Sequence, residues 1–294
     1  MILLILSIIL TSYLTISFKV LGQIKIPALQ AIVINYFTCV ITGSLVNGSF
    51  PITATSVSQP WFLWAIVMGL VFITLFNIIA FTAQRIGVAV ASVANKLSLV
   101  IPFLFSIYLY DEKLTTLKIA GVIIALMAVL FTCWPHKDIQ GSSIKSAHGL
   151  VLLVPVVLFI GSGMLDTMIK YVEQLYLNGT NNDNYFITAF AMAGVSGGLL
   201  LLFQIASGRQ KFDLRAIPAG ILIGIPNYFS LWTLVKVLAA NQGNSSAIFP
   251  IVNIGIVLLS TLAALILFRE KLSKLNWTGV GLAIFAILMM AYAG

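Results

Sequence analysis

Ten runs of apolar residues, each close to the length that crosses a bilayer, leave this chain little choice of fold. They occupy residues 2–20, 28–46, 61–82, 88–110, 117–134, 149–168, 185–205, 217–238, 246–268 and 277–292. A spanning helix needs about 20 apolar residues, and inside a bilayer each span must satisfy its own backbone hydrogen bonds, so all ten are expected to be α-helices. The chain is 60% hydrophobic and 8% charged, whereas a soluble domain carries about 25% charged residues. No connection is long enough to hold a soluble domain. Residues 48–60 form a Ser/Thr-rich loop, 178–184 a run of Asn, Gly, Thr and Asp, and 207–215 a basic loop. The N-terminal run lacks the basic segment and small-residue cleavage site of a signal peptide, so it is expected to remain as the first helix. Cys39 and Cys133 lie in apolar runs and read as small buried hydrophobes. The net charge of +8 fits loops that anchor spans at anionic lipid, so no nucleic-acid partner is expected.

The chain repeats itself. Asn95 stands 17 residues before the Glu of Glu112-Lys113-Leu114, and Asn253 stands 17 residues before the Glu of Glu270-Lys271-Leu272. Each triplet precedes another apolar run. Lys19 near the end of span one matches Lys170 near the end of span six, and Asn77 matches Asn227. The division is residues 1–135 and 148–294, joined by a linker at 136–147. Five spans per half is an odd number, so the second half enters the membrane from the opposite side. The expected fold is all-α, ten transmembrane helices in an inverted five-plus-five repeat around a central cavity. Inverted repeats are a transporter signature, because two similar halves facing opposite ways can exchange conformations.

With ten spans, a five-plus-five duplication and Glu-Lys-Leu turns before spans five and ten, the chain resembles the drug/metabolite transporter superfamily, in its EamA-like branch. The resemblance covers the whole chain. It implies that helices one to four and six to nine surround the cavity and that helices five and ten are peripheral supports. It also implies export of amino acids and other metabolites, or exchange of sugars, nucleotide sugars or phosphorylated sugars.

The most informative residue is Lys96, near the middle of span four. A cation that deep costs about 2.5–3.5 kcal/mol or more to insert, so it is not expected to face lipid. Its repeat counterpart is Ile254, so the architecture does not demand it. Either it attracts an anionic group of a substrate in a cavity bounded by helices three, four, eight and nine, or it is a snorkelling or internally paired lysine. Asn95, Asn253, Asn77 and Asn227 are candidate substrate contacts, each with an amide that can instead join neighbouring helices. Asn227 follows Pro226, and Pro102, Pro155 and Pro250 mark further kinks. Asp166 and Lys170 have the favoured i, i+4 order for a helical ion pair. They read as an interfacial salt bridge, a gate, or a protonatable acid with its partner. Lys19, Arg85 and Lys236 lie near span ends, where they can snorkel. His136 and His148 have no Cys or acidic companions at metal-ligand spacing, so no metal or other cofactor is expected.

The function expected is secondary transport of a small polar metabolite, an amino acid or related carboxylate, across the plasma membrane. The alternatives are a sugar, nucleoside or phosphorylated-sugar exchanger, or a non-transporting scaffold or receptor. No nucleophile–base pair or paired deep carboxylates lie in the spans, so catalysis is not expected. The partners implied are a small-molecule substrate and the bilayer, with the protein a monomer or homodimer. Loops one, five, seven and nine carry most of the Lys and Arg, and basic loops stay cytoplasmic. This places both termini outside, whereas the resemblance implies both inside.

Overall fold

The computed structural model describes residues 2–53, 55–102, 104–105, 116–132, 134, 148–177, 182–240 and 245–292. The first Glu-Lys-Leu triplet, Cys133 and the linker between the halves lie outside the described residues. So do the side chain of Pro250 and the later part of span four.

Ten helices are described: α1 (Ile2–Gln23), α2 (Ala28–Asn47), α3 (Phe62–Arg85), α4 (Val88–Leu97), α5 (Thr116–Thr132), α6 (His148–Tyr176), α7 (Asn182–Ala206), α8 (Ala216–Ala240), α9 (Ser245–Ile266) and α10 (Lys274–Tyr292). Six of these, α1, α2, α3, α6, α7 and α8, are long and apolar enough to cross a membrane. Large apolar side chains such as Leu63, Leu130, Leu199, Leu202 and Leu222 point outward and are more than half exposed. The buried set includes Ser7, Ser12, Gln30, Asn35, Ser92, Ser162, Asn227 and Asn253. Apolar residues outside and polar groups inside suit a protein whose solvent is lipid.

Eight helices pack in a closed circuit: α1, α8, α2, α7, α3, α6, α4, α9 and back to α1. Helices α5 and α10 lie against one another and lean on α4 and α9. On one side of the circuit there are further contacts: α1 meets α3 and α4, and α3 meets α4. A chain of rings marks this crossing. Phe18 of α1 meets Phe76 of α3 at 5.5 Å, Phe76 meets Tyr36 of α2 at 5.3 Å, and Phe72 stacks on Phe190 of α7 at 5.6 Å. The Tyr36 hydroxyl donates to the Phe72 carbonyl at 2.9 Å, so the one polar atom in this aromatic set is satisfied.

Close approach along the circuit depends on glycine. A Cβ on Gly224 of α8 would sit 2.5 Å from Thr38 Cβ and 2.7 Å from the Asn35 carbonyl oxygen, both on α2. With Gly220 one turn earlier, this is a small-xxx-small seam of the kind that lets membrane helices touch backbone to backbone. Proline is accommodated too. Pro226 lies inside α8 and has no N–H to offer the Leu222 carbonyl. Tyr13 of α1 donates its hydroxyl to that carbonyl at 3.3 Å.

Span four differs most from the continuous helix expected over 88–110. Helix α4 stops at Leu97, and a turn at Ser98–Leu99 precedes further helical residues at 100–102. The turn lies one helical turn before Pro102, whose ring leaves the Ser98 carbonyl without its usual donor. The Ile101 N–H takes that carbonyl in a tighter turn at 2.9 Å. Helix α6 also runs past the expected end at residue 168, to Tyr176. Its extra turns are held by rings, with Trp64 meeting Tyr171 at 5.2 Å and Tyr176 at 6.4 Å.

Hydrogen bonds show which loops share a face. The Arg215 side chain reaches the Ile24 carbonyl, and Gln30 bonds both the Lys211 carbonyl and the Asp213 N–H. Asn276, at the start of α10, donates to the carbonyls of Phe131, Thr132 and Trp134 at the end of α5. The ends of α1, α5, α7 and α9 therefore lie together, at the face that carries Lys25, Arg209, Lys211, Arg215, Arg269, Lys271 and Lys274. Hydrogen bonds from Arg215 hold the half-buried Asp213 carboxyl below the usual carboxylate range.

Candidate functional site

Helix α4 packs on α6, and there the two deep charges lie within each other's electrostatic reach. The Lys96 and Lys170 ammonium groups and the Ser98 side chain lie near enough to the Asp166 carboxylate to act on its charge. Lys96 is half-buried, as is Asp166, while Lys170 is exposed. The expected i, i+4 pair along α6 is thus part of a larger arrangement whose other cation comes from α4. The nearest charge to act on Lys96 comes from α6, a helix outside the set of three, four, eight and nine expected to bound it. The break in α4 follows Lys96 immediately. The Ser98 hydroxyl donates to the Asn95 carbonyl, which closes the turn after Lys96.

Several hydroxyls in the spans bond the carbonyl one turn back on their own helix, as Ser17, Thr38, Thr82, Thr167 and Thr233 do. A few buried ones do not. Ser12 of α1, Ser92 of α4, Ser162 of α6 and Ser260 and Thr261 of α9 have no protein partner among the described residues, and neither do Ser44 of α2 and Thr132 of α5. Helices α1, α9, α4 and α6 follow one another around the circuit. Ser92 precedes Lys96 by four residues and Ser162 precedes Asp166 by four, so each hydroxyl lies one turn from a charge on the same stripe of its helix. Buried polar groups normally find partners, and this arc offers several hydroxyls for a polar guest.

The four asparagines divide. Asn253 is buried on α9, which packs on α4, and Asn95 is half-buried beside Lys96. Asn77 donates to the Ile73 carbonyl of its own helix at 2.7 Å. Asn227 donates to Asn35 Oδ1 of α2 at 3.1 Å, so its amide joins helices at the α2–α8 seam. Sequence reasoning misses Asn35, although an amide in an apolar run is the same signal that marks Asn77.

A second polar cluster lies at the basic face. Lys19 Nζ is 3.1 Å from Glu270 Oε1 and donates to the Gln84 carbonyl at 3.4 Å. Both Glu270 oxygens accept from the Val88 N–H at 3.1 Å, so the carboxylate caps the N-terminus of α4. Gln84 closes the set by donating to the Phe18 carbonyl at 2.9 Å. From the sequence, Lys19 reads as a snorkelling lysine and Glu270 as a marker of the repeat. They are instead partners, joining α1, α3 and α4 to the α9–α10 turn.

No family model matches the chain. A Haemophilus influenzae protein described as uncharacterized is 27% identical over 270 residues, covering 90% of this chain and 88% of its own length. The likeness therefore extends over nearly the whole sequence. Taken with the six long apolar helices, the outward apolar side chains and the buried polar ones, the class is decided. The chain is a multi-pass, all-α integral membrane protein. Its span lengths and helical fold suit the plasma membrane, with a helix-packed core and an apolar perimeter for lipid.

Proposed function

We propose that the protein is a secondary transporter that moves a small anionic or zwitterionic metabolite by alternating access. The observation that carries this reading is the placing of Lys96 and Asp166 on facing helices within each other's electrostatic reach, beside a tight turn in α4 and an arc of hydroxyls without a partner among the described residues. Discontinuous helices at membrane depth typify substrate sites in carriers. Charges inside a membrane domain are costly and belong to transport pathways far more often than to scaffolding. A substrate carboxylate would take Asp166's place as partner of Lys96, leaving Asp166 for an ammonium group or a proton. This is binding chemistry, and we read the protein as a carrier, not an enzyme.

The packing supports an inverted five-plus-five repeat. Exchanging each helix of the first half with its counterpart turns the α2–α8 seam into the α7–α3 seam, and both are extensive. The exchange does not hold within the halves. Helix α1 packs on α3 and α4, whereas α6 has no comparable packing on α8 or α9 among the described residues. Such an asymmetric arrangement of similar halves is what one state of an alternating carrier requires. This supports placement in the drug/metabolite transporter superfamily with an EamA-like arrangement, α5 and α10 bracing the outside.

A second reading, exchange of a phosphorylated sugar, is favoured by one observation: two cations, Lys96 and Lys170, interact with the same carboxylate. Thermal-shift measurements on purified protein separate the readings, since a ligand that binds the native state raises its stability. Amino acids or other small carboxylates are expected to raise the melting temperature. Stabilisation by sugar phosphates alone would select the second reading, and by neutral sugars or nucleosides alone would contradict both.

Two further outcomes follow. In proteoliposomes, Asp166→Asn is expected to flatten the pH dependence of transport more than it weakens substrate binding; an unchanged pH profile would remove Asp166 from coupling. The charge bias places the basic face in the cytoplasm and both termini outside. A reporter active only in the cytoplasm, fused after residue 294, should then be silent, and a strong signal would reverse the orientation.

A further inference from the structure

We propose that Lys19, Glu270 and the N-terminus of α4 form a charge latch that holds the basic face shut, and that its release lets α4 swing to open a path from that face. The inference rests on the carrier reading for its purpose, and its test needs no substrate. Three helices and one turn converge at the latch, and among the described residues Glu270 contacts both the Lys19 ammonium and the α4 backbone. Glu270 projects from a turn in which Arg269 has a positive φ of 52° and the Glu270 N–H returns to the Ala264 carbonyl. The carboxylate is therefore aimed by backbone geometry across to the other half of the chain.

The bonds are those of a latch that can release. The side chains of Lys19 and Glu270 are 18% and 13% exposed, so water can reach the pair and compete for it. The two Glu270 oxygens share one N–H at 3.1 Å each, a bifurcated and longer contact than a dedicated charged hydrogen bond. The residue before α4 is Gly87, at φ 148°, a conformation that residues with a side chain rarely adopt. A Cβ there would lie 2.9 Å from Glu270 Oε2. One glycine thus supplies both a pivot for α4 and the space that lets the carboxylate reach its end.

Below the latch, Val88, Ser92 and Lys96 follow one another at intervals of four residues, along one stripe of α4. Lys96 is about 12 Å from the capped Val88 at 1.5 Å per residue. Removing Glu270 from the top of this stripe exposes Ser92 first and Lys96 next.

The test uses Ser92→Cys in full-length protein with Cys39 and Cys133 replaced by alanine. Ser92 is 1% exposed and its hydroxyl has no partner among the described residues, so the thiol costs none of the hydrogen bonds described. A membrane-impermeant maleimide is applied to each face in turn, in intact cells and inverted vesicles. Labelling from the basic face is expected to be slow with the latch intact. It should rise about tenfold in Lys19→Met and in Glu270→Gln, the ratio given by ~1.4 kcal/mol of lost closure. Labelling from the other face should not rise. Lys19→Met leaves the Glu270 cap on α4 whole, and Glu270→Gln leaves an acceptor for the Val88 N–H, so neither exposes the introduced thiol merely by unravelling α4. Unchanged labelling in Lys19→Met, or equal increases from both faces, would reduce Glu270 to a helix cap and overturn the latch. If labelling shifts as stated while no solute is carried, the transport reading fails and the latch stands.

Discussion

Lys96→Met is expected to give a folded, extractable protein whose transport is no more than about one hundredth of wild type. Losing the cation that pairs with a substrate anion in a desolvated site costs about 2–5 kcal/mol of binding, and ~2.7 kcal/mol is already a hundredfold. Stability should respond far less, because Asp166 keeps Lys170 and Ser98 as neighbours and an inserted methionine spares the cost of a deep cation. The check is paired: melting temperature in detergent and initial transport rate in proteoliposomes. A protein that transports normally without Lys96 would show the lysine to be a structural counter-charge for Asp166.

The second large effect is on assembly. Gly224→Leu is expected to destabilise the protein by about 3 kcal/mol, at the upper end of overpacking, or to prevent recovery of monodisperse protein. The added side chain begins 2.7 Å from the Asn35 carbonyl oxygen, which is main chain and cannot turn aside. Separating α2 from α8 also breaks the Asn227–Asn35 bond and the contact from Cys39 Sγ to the Gly224 carbonyl. Gly281→Leu is the matched control. Nothing lies within 4 Å of its Cβ direction, so it should be neutral or gain the ~0.8 kcal/mol by which leucine exceeds glycine as a helix former. Equal losses at the two sites, read by thermal unfolding, would mean that the α2–α8 seam is not under the constraint described.

These two residues also show what was legible in the sequence. Lys96 stands out because lipid makes a mid-span cation conspicuous, and the spans stand out because a bilayer leaves an apolar run only one backbone solution. Gly224 does not stand out. It lies among apolar residues like many glycines, and only the approach of α2 makes it indispensable. The break in α4 is half legible: Pro102 signals a kink, but nothing in Ser98-Leu99 places the turn there. Asp166 reads locally as the partner of Lys170, because i, i+4 spacing is visible along a chain and a contact from α4 to α6 is not. The same limit hides the latch. Lys19 and Glu270 are at opposite ends of the sequence, and the Glu-Lys-Leu triplet reveals its repeat without revealing what its carboxylate grips.

The central claim is that one site, built around Lys96, is reached alternately from the two faces. Counterflow tests it most directly, because an overshoot requires a carrier that returns loaded and cannot arise from a channel, receptor or scaffold. Proteoliposomes would be loaded with an unlabelled mixture of amino acids and small carboxylates, then diluted into trace labelled compounds of the same set. The account predicts transient accumulation of at least one labelled compound above equilibrium, absent in vesicles containing Lys96→Met protein. Simple equilibration at the rate of protein-free vesicles, or an overshoot of the same size without Lys96, would contradict it.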